Sequence, residues 1–237
     1  MRKFVGFTLA EVLITLGIIG VVAALTLPSV IQKYQKKVTV ERLKKMYSTL
    51  SQAVQMSEKD NDSVETWDFL LPTQDFMDKY IVPYIKDIAE REKSGDNLSK
   101  EYILADGSTL YAWTYHLYQS SYKQCVFRQF NVDINGDKKP NILGKDIFIF
   151  YIFPKKAGFY NGGHGDIAKN VPHGGLYPDG YGYPRDTMKN DSWRGCNKRN
   201  GEAIDDTTGE KRSNDGGAFC TALIMLDGWE IKNDYNW

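Results

Sequence analysis

From Phe7 to Leu27 the chain is apolar on every side. Val12, Leu13, Ile14, Leu16, Ile18, Ile19, Val21, Val22 and Leu25 are interleaved only with small residues such as Gly17, Gly20, Ala23 and Ala24. A helix with no polar face is either buried in a large core or embedded in lipid. These 21 residues would extend about 31 Å as a helix, the thickness of a bilayer's hydrocarbon layer. One residue interrupts the pattern. Glu11 places a carboxylate inside the run, at a cost of about 2.5–3.5 kcal/mol near a bilayer centre, so it calls for a partner. Pro28 closes the run and predicts a bend where the helix leaves the membrane.

Beyond Pro28 the pattern changes rather than stops. Gln32 to Glu58 contains neither Gly nor Pro, and Leu43, Tyr47, Leu50 and Val54 recur at four, three and four residues. That spacing puts one apolar stripe on a helix. Lys36, Lys37, Glu41, Arg42, Lys44 and Lys45 fall on its solvated side, where the lysines would also reach lipid headgroups. Asp60-Asn61-Asp62-Ser63 breaks the helix, and Thr73 to Arg91 reads as one or two helices interrupted near Pro83.

The remainder is strand-like. Tyr102–Leu104 and Thr109–Tyr115 are predicted to pair across an Asp106-Gly107 turn. Val126–Val132 and Asp146–Phe153 follow, and the near-continuous apolar run Ile147–Phe153 marks the most buried strand. Pro154 to Asp191, rich in Gly, Tyr and Pro, lacks periodicity and reads as a long surface loop. Ala218–Leu226 is apolar but of undetermined type, and Trp229–Ile231 is a candidate terminal strand. A long helix followed by an antiparallel sheet predicts an α+β fold, the spine helix packing on a β-sheet head.

Composition narrows the function classes. The formal net charge is zero, and after Ile31 there are 28 basic and 29 acidic residues, so bulk charge points to no nucleic acid and no acidic substrate. The three histidines, His116, His164 and His173, form no HExxH, and no paired-Cys zinc spacing, GxSxG or P-loop is present. His164, Asp166 and His173 are the only candidate metal cluster in the Gly-rich segment. Trp113, Trp193, Trp229 and Trp237 read as packing residues before they read as a carbohydrate platform. No catalytic constellation emerges, and the chain is not expected to be an enzyme or to require a cofactor. Asp133-Ile134-Asn135-Gly136-Asp137 offers oxygens at alternate positions, a calcium-loop spacing. It has Lys138 in place of the loop glycine and Gly144 in place of the closing glutamate, so an Asn-Gly turn is the first reading and calcium the second.

Gly6-Phe7-Thr8-Leu9-Ala10-Glu11, preceded by the basic leader Met1–Val5, resembles the processing signal of type IV pilins and type II secretion pseudopilins. The resemblance covers roughly residues 1–58. It implies a prepilin peptidase that cuts between Gly6 and Phe7, N-methylation of Phe7, and assembly through the apolar helix, with Glu11 meeting the new amine of a neighbour and Pro28 as the helix-bending proline. Because desolvation offsets most of its attraction, such a buried pair sets register more than it stabilises. The implied organisation is a leader (1–6), an assembly half of the spine (7–31), an amphipathic half (32–58) and an exported head (59–237). Implied partners are the peptidase, sibling subunits, an assembly ATPase with its inner-membrane platform, and membrane lipid. The implied location is the inner membrane with the head on the outer face, then a filament at the cell surface or in the periplasm. Pilus and secretion pseudopilus are not distinguished by these residues.

Two expectations depend on that resemblance. Cys125, Cys196 and Cys220 allow three pairings; many pilins clamp their C-terminal region, which implies Cys196–Cys220 and leaves Cys125 a buried thiol. Some pseudopilin heads hold calcium, which bears on Asp133, Asn135 and Asp137. The rival to the whole reading is a secreted binding protein or hydrolase with an ordinary signal peptide cut after Ala24. Against it stand Glu11 inside the apolar run and the Gly-Phe-Thr-Leu junction before it.

Overall fold

The computed structural model describes Gly6 and residues 8–92, 100–119, 122–161, 166–197, 203–204, 211–212, 216–234 and 237, with the backbone alone at 113–119, 122–126, 159, 161, 166, 203–204 and 211–212. The fold is α+β, with a long N-terminal apolar helix and a six-stranded antiparallel sheet. Helix α1 (Leu9–Asn61) is continuous through Pro28. It ends at the predicted Asp-Asn breaker, where Asp62 takes φ 61°. The chain divides into two compact units, Met1–Val38 and Thr39–Trp237. The second begins where the first α1 side chain is buried, at Val40.

In the first unit every large apolar side chain of α1 from Leu9 to Ile31 is exposed. Burial of these groups would be worth about 25 cal/mol per Å2, so water is not the solvent this segment is built for. α1 is one helix long and apolar enough to cross a membrane, as an anchor or a signal sequence would be.

The second unit is layered around the sheet. Its order is β1 (Ala89–Glu92), β2 (Lys100–Ile103), β3 (Thr109–Gln119), β4 (Tyr122–Asp133), β5 (Ile147–Phe153) and, after a hairpin, β8 (Gly175–Pro178). Alternation along β4 and β5 sends side chains to opposite faces. Phe130, Val132, Phe148, Phe150 and Ile152 meet α1 through Leu43, Met46, Leu50 and Val54, together with α2 (Thr73–Tyr80) and α4 (Cys220–Leu226). Tyr47 of the predicted stripe stacks on Phe150, with ring centroids 5.7 Å apart. Phe127, Ile149, Tyr151 and Phe153 face the other way, under the hairpin β6 (Ala157–Asn161) and β7 (Asp166–Val171). Burial on both faces is why Ile147–Phe153 shows no polar alternation.

Three expectations are corrected. Pro154–Asp191 is not a loop. It carries β6, β7, β8 and helix α3 (Arg185–Asn190). Tyr160 and Tyr177 are buried in the second core, Tyr160 stacking on Phe153 at 4.0 Å, and Gly182 lies so close to the Lys169 carbonyl that a Cβ would collide with it. Aromatic rings and close backbone approach hold this region, so no periodic signal exists for it. Residues 89–91 belong to edge strand β1 rather than to the preceding helix, which ends at Tyr80 and is followed by a single 3-10 turn at Val82–Tyr84. Trp229–Ile231 forms no strand, because Gly228 and Trp229 both adopt positive φ (77° and 64°).

Candidate functional site

The N-terminal junction is built around Thr8. Its carbonyl accepts the first helical bond, from Val12 N (3.2 Å). Its hydroxyl accepts from Glu11 N (3.3 Å), while the Glu11 carboxylate accepts both the Thr8 N–H and the Thr8 hydroxyl at 2.8 Å. This is a capping box, in which two helix-end donors are satisfied reciprocally. In hydrocarbon those donors would otherwise cost several kcal/mol each. Thr8-Leu9-Ala10-Glu11 carries the Thr-x-x-Glu signature of that motif, a signal missed when Glu11 was considered only as a partner for another chain. Further along, Thr15, Thr26 and Ser29 donate their hydroxyls to the carbonyls of Val12, Val22 and Thr26, at 2.9 Å each. The segment thus satisfies its own polar side chains. Gly6 is exposed with open space around it; Phe7 lies outside the described residues.

Cys196 and Cys220 are bridged, with Cα atoms 4.8 Å apart at a sequence separation of 24. The bridge ties the segment after α3 to the start of α4 and encloses the short β9–β10 ladder (Ala203–Ile204 with Lys211–Arg212). Beside it the buried Arg194 guanidinium pairs with the fully buried Asp179 carboxylate at 2.6 Å, and Arg185 grips Asp227 and Asp234. The side chains of Cys125 and His116, and all of His164, lie outside the described residues. His173 is bonded to its own loop and to the Tyr177 hydroxyl.

The Asp133–Asp137 segment is held by protein donors. Asp133 Oδ1 accepts Asn135 N at 3.0 Å, the Asn135 amide donates to Asp146 at 3.1 Å, and Asp137 forms a bidentate pair with Arg91 at 2.7 and 2.9 Å. Arg91 also pairs with the buried Glu101. Burial pushes the Asp133 carboxyl up to about 6; the Asn135 N–H opposes this and the nearby Asp146 charge reinforces it. The geometry is that of an Asx turn. No three His, Cys, Asp or Glu side chains converge as a metal site among the described residues.

One groove opens on the second unit, about 410 Å3 in volume, between α1, the 3-10 turn and the β2–β3 connection. Met56, Tyr84, Ile85 and Leu104 form its apolar wall, and Lys45, Lys86 and Asp106 its charged rim. Lys45 pairs with Asp106 at 2.7 Å. Burial opposes the Asp106 charge, but Lys45 and Ser108 outweigh it and hold the carboxyl at about 2.

Residues 29–237 match DUF6613, a family of unknown function. The chain belongs to DUF6613. No curated protein and no solved structure matches it. The part of the chain that matches DUF6613 includes the disulfide, the groove, the Asp133–Asp146 connection and both cores. The match starts directly after Pro28, so the capping box and most of the apolar segment precede the DUF6613 region.

Proposed function

We propose that this protein is a structural subunit of the pilin or pseudopilin type. It is cut between Gly6 and Phe7, methylated at Phe7, held in the membrane by the apolar part of α1, and polymerised through that helix. The observation that carries this reading is the start of α1 itself. A Thr8–Glu11 capping box begins the helix two residues after the Gly6–Phe7 junction and leads straight into an unbroken apolar run. A helix so capped enters lipid with two of its four opening N–H groups, those of Thr8 and Glu11, already satisfied. Continuity of α1 across Ala24–Leu25 favours this over a signal peptide removed after Ala24. In the assembled state Glu11 has two candidate donors, its own Thr8 and the amine of a neighbouring Phe7. Exchange between them would set register at little net energy.

The test is the mature N-terminus, read by intact mass and sequencing from the native membrane fraction. A start at N-methyl-Phe7 is expected. A start at Leu25 would remove both the anchor and Glu11 and end the filament reading.

A further inference from the structure

Beyond Glu11 the first unit carries its charge in one place. From Val12 to Val38 the only charged residues are Lys33, Lys36 and Lys37. Spacings of three and four residues put the three ammonium groups on one side of α1, where like charges destabilise a helix unless an anion lies between them. Lys33 and Lys37 are exposed, and neither forms an ion pair among the described residues. Tyr34, next to Lys33, is 68% exposed. An exposed apolar helix, then a tyrosine among lysines, is the order of residue types found at a membrane boundary. The ring sits at headgroup level and the long lysine stems carry their charge into the polar layer.

Distance along the helix gives the depth. Val12–Ile31 is 20 residues, about 30 Å of helix, which matches the hydrocarbon thickness. Headgroups add about 5–8 Å on each side. With that stretch in the hydrocarbon, Lys33 stands about 3 Å past its edge and Lys37 about 9 Å, so the two bracket the headgroup phosphates. Side chains four residues apart are neighbours on the helix surface, so one phosphate can lie between them. A zwitterionic lipid brings its own cation to such a place; a net-anionic lipid does not. Clustered ammonium groups with no acidic residue between Glu11 and Glu41 therefore discriminate between the two classes.

We propose that Lys33 and Lys37, with Lys36 beside them, form a binding site for the phosphate of a net-anionic phospholipid, in the leaflet at that end of the apolar stretch. The site fixes the depth of the chain in the bilayer, and a subunit drawn out of the membrane has to give the lipid up. The inference rests on reading α1 as an anchor and adds the class of lipid that the anchor selects.

It is tested on the full chain reconstituted in vesicles of phosphatidylcholine and phosphatidylglycerol, one of the two lipids bearing a diazirine high on its acyl chain. After illumination the labelled peptides are mapped by mass. Phosphatidylglycerol is expected to label residues 29–38 about fivefold more than phosphatidylcholine does, the factor for one ammonium near an anionic surface. Lys33→Gln with Lys37→Gln should remove most of that preference, and Lys33→Arg with Lys37→Arg should keep it. Soluble glycerol phosphate should not compete. Equal labelling by the two lipids, a preference unchanged in the glutamine variant, or competition by glycerol phosphate overturns the lipid site. Label along Val12–Ile31 without a headgroup preference rejects the site alone. No label from either lipid anywhere in α1 rejects the anchor reading together with it.

Discussion

Asp133 shows how much one carboxylate can contribute to pH dependence. Its carboxyl is raised to about 6 by burial, with Asp146 adding to the effect. A raised acid binds its proton more tightly folded than unfolded, so the native state loses stability as pH climbs from about 4, the unfolded value, through about 6. Asp133→Asn keeps the acceptor for Asn135 N and removes the charge. It should flatten that window and stabilise the protein at pH 8 by about 1 kcal/mol, less than the full linkage because solvent screens part of the shift. Urea unfolding at pH 5 and pH 8 measures it; an unchanged difference between the two would count against the assignment. Legibility at this scale was uneven. The turn at Asn135-Gly136 was readable from residue types, but burial of Asp133 was not, because nothing local in Asp-Ile-Asn-Gly-Asp records which carboxylate faces inward. The full burial of Arg128 gave no signal either: a single arginine in an alternating strand normally reads as the solvent side.

At the scale of elements, α1 and β5 were legible because each carries its period without interruption. The stripe Leu43, Tyr47, Leu50, Val54 meets the sheet as its spacing requires. The Gly- and Tyr-rich stretch was not legible, since its order comes from stacked rings and from glycine positions where another backbone passes. The edge strand Ala89–Glu92 was missed for a related reason: its Ala-Glu-Arg-Glu sequence has no apolar face to announce pairing. The Cys196–Cys220 closure belongs to this scale too. It constrains 24 residues of sequence separation, and its reduction should cost about 3–4 kcal/mol by the chain-entropy argument. The midpoint of chemical unfolding with and without reductant tests this. A shift below about 1 kcal/mol would mean that the buried Arg194–Asp179 pair and α4 packing already hold the region.

For the molecule as a whole, the core is confined to residues from Val40 onward. A chain beginning at Thr39 retains every buried apolar residue of the second unit, and it should fold cooperatively in water without detergent. Its thermal unfolding, followed by near-ultraviolet circular dichroism, should be a single sharp transition; loss of that signal with far-ultraviolet signal retained would show that the core needs the preceding helix. Part of the organisation was visible in sequence, as an apolar segment joined to a head without a linker. The place where the second unit begins was not, because it falls inside one unbroken helix rather than at a turn.

Pro28 sits inside α1, not at its end. Proline has no N–H to offer the carbonyl four residues earlier, so the ladder lacks its rung at Ala24. In lipid, bending the apolar segment at any other level would strain a hydrogen bond that the solvent cannot replace. At this level there is none to break, and the curvature of the segment can change there at the lowest energetic cost.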